Sequence, residues 1–222
     1  MAEKKSWLER NISLPIQTNP KAEKENTITH LVGIAFAIVA TVLVATSLGE
    51  MPNLALKVGS LVYCFTIILL YLASSLYHSL PNGDVKRLIR VVDHSNIYIL
   101  IAGSYTPILL YINNSKTSLI CLTLWIICIF GILFSLFFMG KMRAVHTTLY
   151  IGMGWIVVFF WNDIMTKIPI LLPYYIIAGG IAYSLGVIFF TDKRIPHYHA
   201  IWHIFVLAGT LIHFIGFMKY LF

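Results

Sequence analysis

Seven apolar segments, each long enough to cross a lipid bilayer, most strongly constrain what this chain can fold into. A transmembrane helix needs about 20 predominantly apolar residues. Segments of that kind run over residues 28–49, 54–78, 92–112, 117–138, 144–162, 170–190 and 199–221. The connections between them are short and contain proline, asparagine, glycine or charged residues, as in Pro81–Asp84. The pattern predicts an all-α integral membrane protein whose seven transmembrane helices form one bundle.

The composition also indicates a membrane protein. Of the 222 residues, 59% are hydrophobic and 11% are charged, whereas roughly a quarter of the residues in a soluble domain are charged. The net charge is +7, but the basic residues lie in short loops beside apolar segments, where they set membrane orientation. We therefore expect membrane lipids as partners, with one of them as a candidate substrate, and no binding of nucleic acid.

Two regions are expected along the chain. Residues 1–26 are polar and contain Pro15 and Pro20, so we predict a cytoplasmic tail with a short interfacial helix near Trp7. Residues 27–222 are predicted to form the seven-helix transmembrane domain. No signal peptide is expected, because the first apolar run starts late and is too long for one. The three cysteines lie inside apolar segments without paired spacing, which predicts buried thiols rather than disulfides.

The distribution of lysine and arginine predicts the orientation of the bundle. Cytoplasmic loops carry an excess of these residues. Twelve of the 16 fall in the tail and in the loops after the second, fourth and sixth segments, and four fall on the other side. We therefore predict a multi-pass protein of the cell membrane with a cytoplasmic N-terminus and an extracytoplasmic C-terminus. This orientation argues against a rhodopsin-like receptor, whose N-terminus lies outside.

Two histidines near the start of the last segment, His199 and His203, are four residues apart and share one helix face. Imidazoles so placed can occupy two corners of a metal coordination shell. The predicted orientation puts them at the same cytoplasmic level as His78, Asp93 and His30, which end or begin other segments. Ionisable groups in membrane segments usually face the protein interior or a functional cavity. The set therefore predicts a metal site near the cytoplasmic face.

The residue types in this set favour catalytic zinc. Three histidines with one open position are typical of catalytic zinc sites, where a bound water has a pKa of about 7. His78, His199 and His203 are the predicted ligands. Asp93 could bind the metal directly, but we favour a place beside the water as general base. Ser74 shares a helix face with His78 and could hydrogen-bond the water, a developing oxyanion or its own helix.

The remaining histidines fit this site less well, and any single helix-end histidine could instead lie in the headgroup region. His94 projects about 100° from Asp93 around the helix, so both cannot easily face one ion. His197 lies in the loop or at the start of the last helix. His213 lies deep in the outer half, where we expect a polar contact inside the bundle.

Three motifs occur in order along the chain. They are Glu23-x-x-Asn26-x-x-Thr29-His30 at the first segment, Ser74-x-x-x-His78 followed by Asp93 and Gly103-Ser104-Tyr105-Thr106-Pro107, and His199-x-x-x-His203 at the last segment. Together they resemble the progestin and adipoQ receptor (PAQR) superfamily, in its bacterial hemolysin III branch. The resemblance covers roughly residues 23–222.

The resemblance implies seven helices with the N-terminus inside and zinc held by His78, His199 and His203. It also implies that Asp93 lies beside the zinc-bound water, with Ser74 close by. Through kinship with alkaline ceramidases it implies hydrolysis of a lipid amide or ester. For the bacterial members it implies cytolysis or membrane-lipid homeostasis.

Four functions are compatible with these features. The favoured one is a zinc-dependent hydrolase of a lipid-like amide or ester that acts in membrane-lipid homeostasis. The first alternative is a non-enzymatic sensor or receptor with structural zinc, in which a fourth protein ligand would close the metal site. The second is a cytolytic, hemolysin-type protein, for which the sequence offers neither a secretion signal nor an amphipathic β-hairpin pattern. A proton-coupled transporter is a weaker option, since no charged residue lies near the middle of a span.

Overall fold

The computed structural model describes residues 6–14, 19–139 and 142–222, and in these ranges every long element is an α-helix. Seven helical spans are long and apolar enough to cross a membrane: Pro20–Ser47, Leu54–Ser79, Asp84–Ile112, Ser115–Phe138, Ala144–Lys167, Leu172–Thr191 and Tyr198–Tyr220. The predicted all-α fold with seven spans is confirmed. Lys4, Lys5 and Lys141, which entered the orientation argument, and Pro15 of the predicted tail lie outside the described residues.

The described helices are numbered in chain order. They are α1 (Trp7–Asn11), α2 (Pro20–Ser47), α3 (Leu54–Ser79), α4 (Asp84–Ile112), α5 (Ser115–Phe138), α6 (Arg143–Gly154), α7 (Trp161–Lys167), α8 (Leu172–Thr191) and α9 (Tyr198–Tyr220). α1 begins at Trp7, where a short helix was predicted. Ser6 and Glu9 form a capping box at its start, each accepting a hydrogen bond from the other's backbone N–H.

Two long helices begin earlier than the apolar pattern predicts. α2 begins at Pro20 rather than at residue 28, because the Asn19 side chain accepts a hydrogen bond from the Lys21 N–H and proline suits the first helical position. α4 begins at Asp84 rather than at residue 92. The added turns are polar, and apolar length marks only the part of a helix that lies in the bilayer. These turns carry side chains that the candidate site uses.

The fifth span, predicted over residues 144–162, is interrupted and ends at Lys167. A 3₁₀ turn over Ile156–Phe160 separates α6 from α7. The Tyr105 hydroxyl on α4 donates a hydrogen bond to the Gly154 carbonyl and lies 3.3 Å from the Val157 backbone nitrogen, whose N–H it accepts. Backbone groups freed by a break inside a membrane need such partners. The apolar pattern does not reveal the break, because residues 149–161, which surround it, are all apolar or glycine.

The helix packing brings α2, α3 and α9 together. α2 packs against both α3 and α9, while α3 also packs against α4, and α8 packs against α9. Gly33 of α2 allows a close approach to α3, since an added Cβ would come within 2.3 Å of the Tyr71 ring. The Tyr71 hydroxyl donates a hydrogen bond to the Thr210 hydroxyl on α9 at 2.9 Å. The end of α3 and the start of α9 are thereby placed side by side.

Candidate metal centre

Three histidines from two helices meet at one end of the bundle. His78 lies at the end of α3, and His199 and His203 lie in the first two turns of α9. One ring nitrogen from each lies within 4.8 Å of the other two. The ring centroids of His199 and His203 are 4.6 Å apart, and those of His78 and His199 are 4.9 Å apart. The three predicted ligands could therefore hold one metal ion.

The surroundings of His78 leave its Nε2 atom available as a ligand. Nδ1 lies 3.2 Å from a carboxylate oxygen of Glu23, which accepts the N–H. Nε2 is buried and has no hydrogen-bond partner among the described residues. Metal-binding histidines commonly donate the other ring N–H to a carboxylate, which fixes the tautomer and the ring orientation. An orphaned nitrogen on a ring held in this way fits a metal ligand.

His203 is oriented in a similar way by α2. Its Nδ1 lies 2.9 Å from the Thr29 hydroxyl and 3.2 Å from the Asn26 backbone carbonyl. Because a carbonyl oxygen can only accept, the N–H lies on Nδ1 and the lone pair on Nε2. The imidazole of His30 stacks on the His203 ring, with centroids 3.6 Å apart and planes inclined by 22°. The ring is therefore held by α2 on its edge and on one face.

A cavity of about 780 Å³ lies beside the histidines, and both predicted catalytic residues, Asp93 and Ser74, line it. Ser74 is buried one turn before His78 on α3. The cavity continues between α4, α6 and α8, where its walls are mostly apolar. These walls include Leu100, Ile101, Ile108, Val157, Ile176 and Val187. The cavity thus joins a polar, histidine-lined end to an apolar interior.

Asp93 and His94 lie closer together than their helical positions suggest. The rings and carboxylates of adjacent residues were expected to project in directions about 100° apart. Instead, Nδ1 of His94 lies 3.4 Å from Oδ2 of Asp93, and it also lies 3.1 Å from the Arg90 carbonyl oxygen. Side-chain torsions bring the two ends together although the Cβ atoms diverge. His94 lines the cavity but does not belong to the metal-compatible group among the described residues.

Two other histidines lie where the sequence placed them. His213 is buried in α9, and its Nε2 lies 3.1 Å from the Ile176 carbonyl oxygen, which accepts the N–H. This is the polar contact expected inside the bundle. His197 precedes α9 in a left-handed backbone conformation, with a φ of 59°, and its Nδ1 lies 2.5 Å from a carboxylate oxygen of Glu25.

The "Haemolysin-III related" family model matches residues 18–214 of the chain. The chain belongs to this family. The predicted hemolysin III branch is therefore confirmed, and the family together with the seven apolar spans identifies a multi-pass protein of the cell membrane.

Several curated relatives cover most of the chain. Hemolysin-3 of Bacillus cereus is 36% identical over 195 residues, which are 87% of this chain and 89% of the relative. Hemolysin-3 homolog of Bacillus subtilis (strain 168) is 34% identical over 191 residues, which are 86% of this chain and 90% of the relative. The human Monocyte to macrophage differentiation factor is 28% identical over 178 residues, and the match covers 75% of this chain and 71% of the relative.

In the sequence, Glu23, Asn26 and Thr29 are recognised only as members of a motif, whereas His30 is also predicted to lie at the level of the metal site. In the structure all four contact a predicted ligand: Glu23 and Thr29 by side-chain hydrogen bonds, Asn26 through its backbone carbonyl and His30 by ring stacking. Asn26 lies three residues after Glu23, and Thr29 and His30 lie three and four residues after Asn26, which places all four on one side of the helix. That face becomes visible only when α2 is extended back to Pro20, which Asn19 and Pro20 signal as a helix start. Lys86 of α4 is also buried at this end of the bundle, but the sequence carries no signal for it, because a lysine in a short basic turn resembles an orientation determinant.

Proposed function

We propose that this protein is a zinc-dependent hydrolase of a lipid-like amide or ester and that it acts in membrane-lipid homeostasis. One observation carries the proposal: three metal-compatible histidines, a carboxylate and a hydroxyl lie at one cavity inside the bundle. No fourth described side chain joins the group of three histidines. Three protein ligands are typical of catalytic zinc, whereas structural sites usually have four.

Zinc fits these ligands because imidazole nitrogen is one of its usual donors. The orphaned, buried Nε2 of His78 and the Nδ1 contacts of His78 and His203 support a bound metal at this place. When bound, zinc would polarise a substrate carbonyl and lower the pKa of a water. The histidines would supply the ligand atoms and would not transfer protons.

Asp93 is proposed as the group that moves the proton. Its carboxylate would accept a proton from the attacking water and return it to the leaving nitrogen or oxygen. Water would add to the carbonyl carbon, the C–N or C–O bond would break, and the products would be a carboxylic acid and an amine or alcohol. The Ser74 hydroxyl would donate a hydrogen bond to the developing oxyanion or position the water.

The apolar part of the cavity supports an acyl chain as the substrate's main feature. Burial of each CH₂ group contributes about 0.8 kcal/mol, so walls such as Ile108 and Val157 would favour a long alkyl chain. The polar end would then receive the amide or ester group. A substrate already dissolved in the bilayer also suits a chain that consists almost entirely of membrane spans.

The experiment compares zinc content and lipid turnover in purified protein reconstituted in nanodiscs. The substrates are a panel of fluorescent N-acyl amides and acyl esters, with fatty-acid release as the readout. Wild type should contain zinc and release fatty acid, and His78→Ala should lose both. Asp93→Asn should keep the zinc and lose turnover by about 10²- to 10⁴-fold. Asp163→Asn, at a carboxylate that instead pairs with Lys116, is the matched control and should resemble wild type.

Three outcomes would contradict the proposal. Loss of zinc in His78→Ala with unchanged fatty-acid release would show that the metal does not take part in hydrolysis. Bound zinc without turnover of any substrate in the panel would favour a structural metal in a sensor or receptor. Dye release from liposomes by the purified wild type, without hydrolysis, would instead favour a cytolytic protein.

A further inference from the structure

A buried lysine, Lys86, lies at the same end of the bundle as the three histidines. Its side chain is 2% exposed, and burying a charged group is costly unless it is paired and hydrogen-bonded. Nζ donates hydrogen bonds to the Glu23 carboxylate and to the Leu80 carbonyl, both at 2.9 Å. It also lies 5.1 Å from the centroid of the Tyr77 ring. The ammonium group is thus held by α2, by α3 and by the turn that follows α3.

The Glu23 carboxylate connects Lys86 to a predicted metal ligand. The oxygen that accepts from Lys86, Oε2, is the one that lies 3.2 Å from Nδ1 of His78. A carboxylate at this place holds the proton on Nδ1 and leaves the lone pair on Nε2. Lys86, Glu23 and His78 therefore form a continuous chain of charge-assisted contacts across α4, α2 and α3.

We infer that Lys86 is a positioning residue for the metal centre. It holds the Glu23 carboxylate against His78, and so keeps the Nε2 atom of His78 directed at the other two ligands. Without Lys86, the Glu23 side chain would lose a charge-assisted hydrogen bond that fixes its rotamer. Loss of Lys86 would also leave the partly buried, negatively charged Glu23 carboxylate without its counter-ion. This inference rests on the proposed zinc site.

A purely structural role for Lys86 makes a different prediction. Its hydrogen bond to Leu80 ties the end of α3 to the start of α4, and losing that tie would lower the stability of the fold. A folded variant would then still bind zinc as tightly as wild type. The dissociation constant for zinc separates the two roles, because it is measured on folded protein and does not depend on lipid turnover.

The test measures zinc dissociation constants by chelator competition on metal-depleted protein. The variants are Lys86→Met, Glu23→Gln and the double variant Glu23→Gln/Lys86→Met. Loss of a partner that orients a metal ligand typically weakens metal binding by about 10- to 100-fold. We expect that loss in each single variant and no further loss in the double variant, because both substitutions break the same chain of contacts.

Three further variants sharpen the test. Lys86→Arg keeps the positive charge and should bind zinc within a few-fold of wild type. Lys86→Gln keeps a donor but removes the charge, and it replaces Lys86→Met under the same criteria if the methionine variant does not fold. Lys116→Met is the matched control, because Lys116 pairs with Asp163 at 2.6 Å. Its zinc affinity should be unchanged.

The outcomes separate this inference from the proposed function. Wild-type zinc affinity in a folded Lys86→Met or Lys86→Gln variant would overturn the role of Lys86 and leave the zinc site intact. Additive losses in the double variant would also overturn it, because Lys86 would then act by a route other than Glu23. Failure of the wild type to bind zinc would overturn the proposed function itself.

Discussion

The Thr29 hydroxyl lies 2.9 Å from Nδ1 of His203. This contact is one of several through which α2 orients ligands that belong to other helices. Glu23 contacts His78 of α3 in the same way, and His30 stacks on His203. Since second-layer contacts of this kind orient metal ligands, α2 supports the candidate centre although it contributes none of the three histidines.

Thr29→Val should weaken zinc binding by about tenfold, because it removes one Nδ1 partner of a ligand histidine. The Asn26 carbonyl, 3.2 Å from the same nitrogen, remains in place and limits the loss. Zinc competition against a chelator measures the effect. Thr27→Val is the control, since the Thr27 hydroxyl donates to the Glu23 carbonyl of its own helix at 2.9 Å. Equal effects in the two variants would contradict the role assigned to Thr29.

Ser74→Ala should keep the zinc and lower fatty-acid release by about 10²-fold, the usual effect of removing one oxyanion donor. Zinc content and turnover are measured on the same preparation. Ser75→Ala is the neighbouring control, because its hydroxyl is buried without a partner among the residues described. Removing such a group should not lower stability. Loss of zinc in Ser74→Ala, with turnover in proportion to the remaining metal, would assign Ser74 a structural role.

Gly33→Ala should destabilise the bundle by about 1–3 kcal/mol, because overpacking at a close contact forces side chains or helices apart. The new Cβ would lie 2.3 Å from the Tyr71 ring, which itself contacts His30 edge-on. Thermal unfolding in detergent is the measurement, and weaker zinc binding should accompany it. Gly152→Ala has no described neighbour within 4 Å of the added Cβ, so it should be neutral or slightly stabilising. A lower stability in Gly152→Ala than in Gly33→Ala would argue against this packing.

Tyr105→Phe should lower stability by about 1–3 kcal/mol, since it leaves buried backbone groups at the break in the fifth span without a partner. Hydrogen exchange at residues 154–157 should become faster, because Gly154 and Val157 both bond to the lost hydroxyl. Tyr174→Phe, at a tyrosine that is 66% exposed, should leave both measurements unchanged. Unaltered exchange at 154–157 in Tyr105→Phe would show that the break does not depend on this hydroxyl.

A reporter experiment tests the predicted orientation, which rests on the positive-inside rule. Alkaline phosphatase fused after Phe222 should be active, because the enzyme folds only outside the cytoplasm. The same reporter fused after Asn82, in the turn between α3 and α4, should be inactive, and a green fluorescent protein should show the opposite pattern. An active phosphatase at residue 82 would reverse the orientation and place the histidine cluster on the outer side.

Much of the candidate site follows from local sequence signals. The spacing of His199 and His203 predicts that they share a face, and the order of the spans predicts that His78 lies at the same level. The structure brings one ring nitrogen of each to within 4.8 Å of the other two. The residues that orient the three histidines cannot be predicted from local sequence signals in the same way. Lys86 looks like an orientation determinant in a basic turn, and only its burial against Glu23 reveals a different environment.

The seven spans, the family and the three-histidine set are thus determined by the sequence alone. Partition of an apolar segment into the bilayer and the periodicity of a helix are local properties, so each can be read from a short stretch of residues. Tertiary structure alone decided the contacts of Glu23, Thr29 and His30 with the ligands and the break near Gly154. These depend on which helices pack together and on side-chain rotamers, which residues distant in the chain impose on one another.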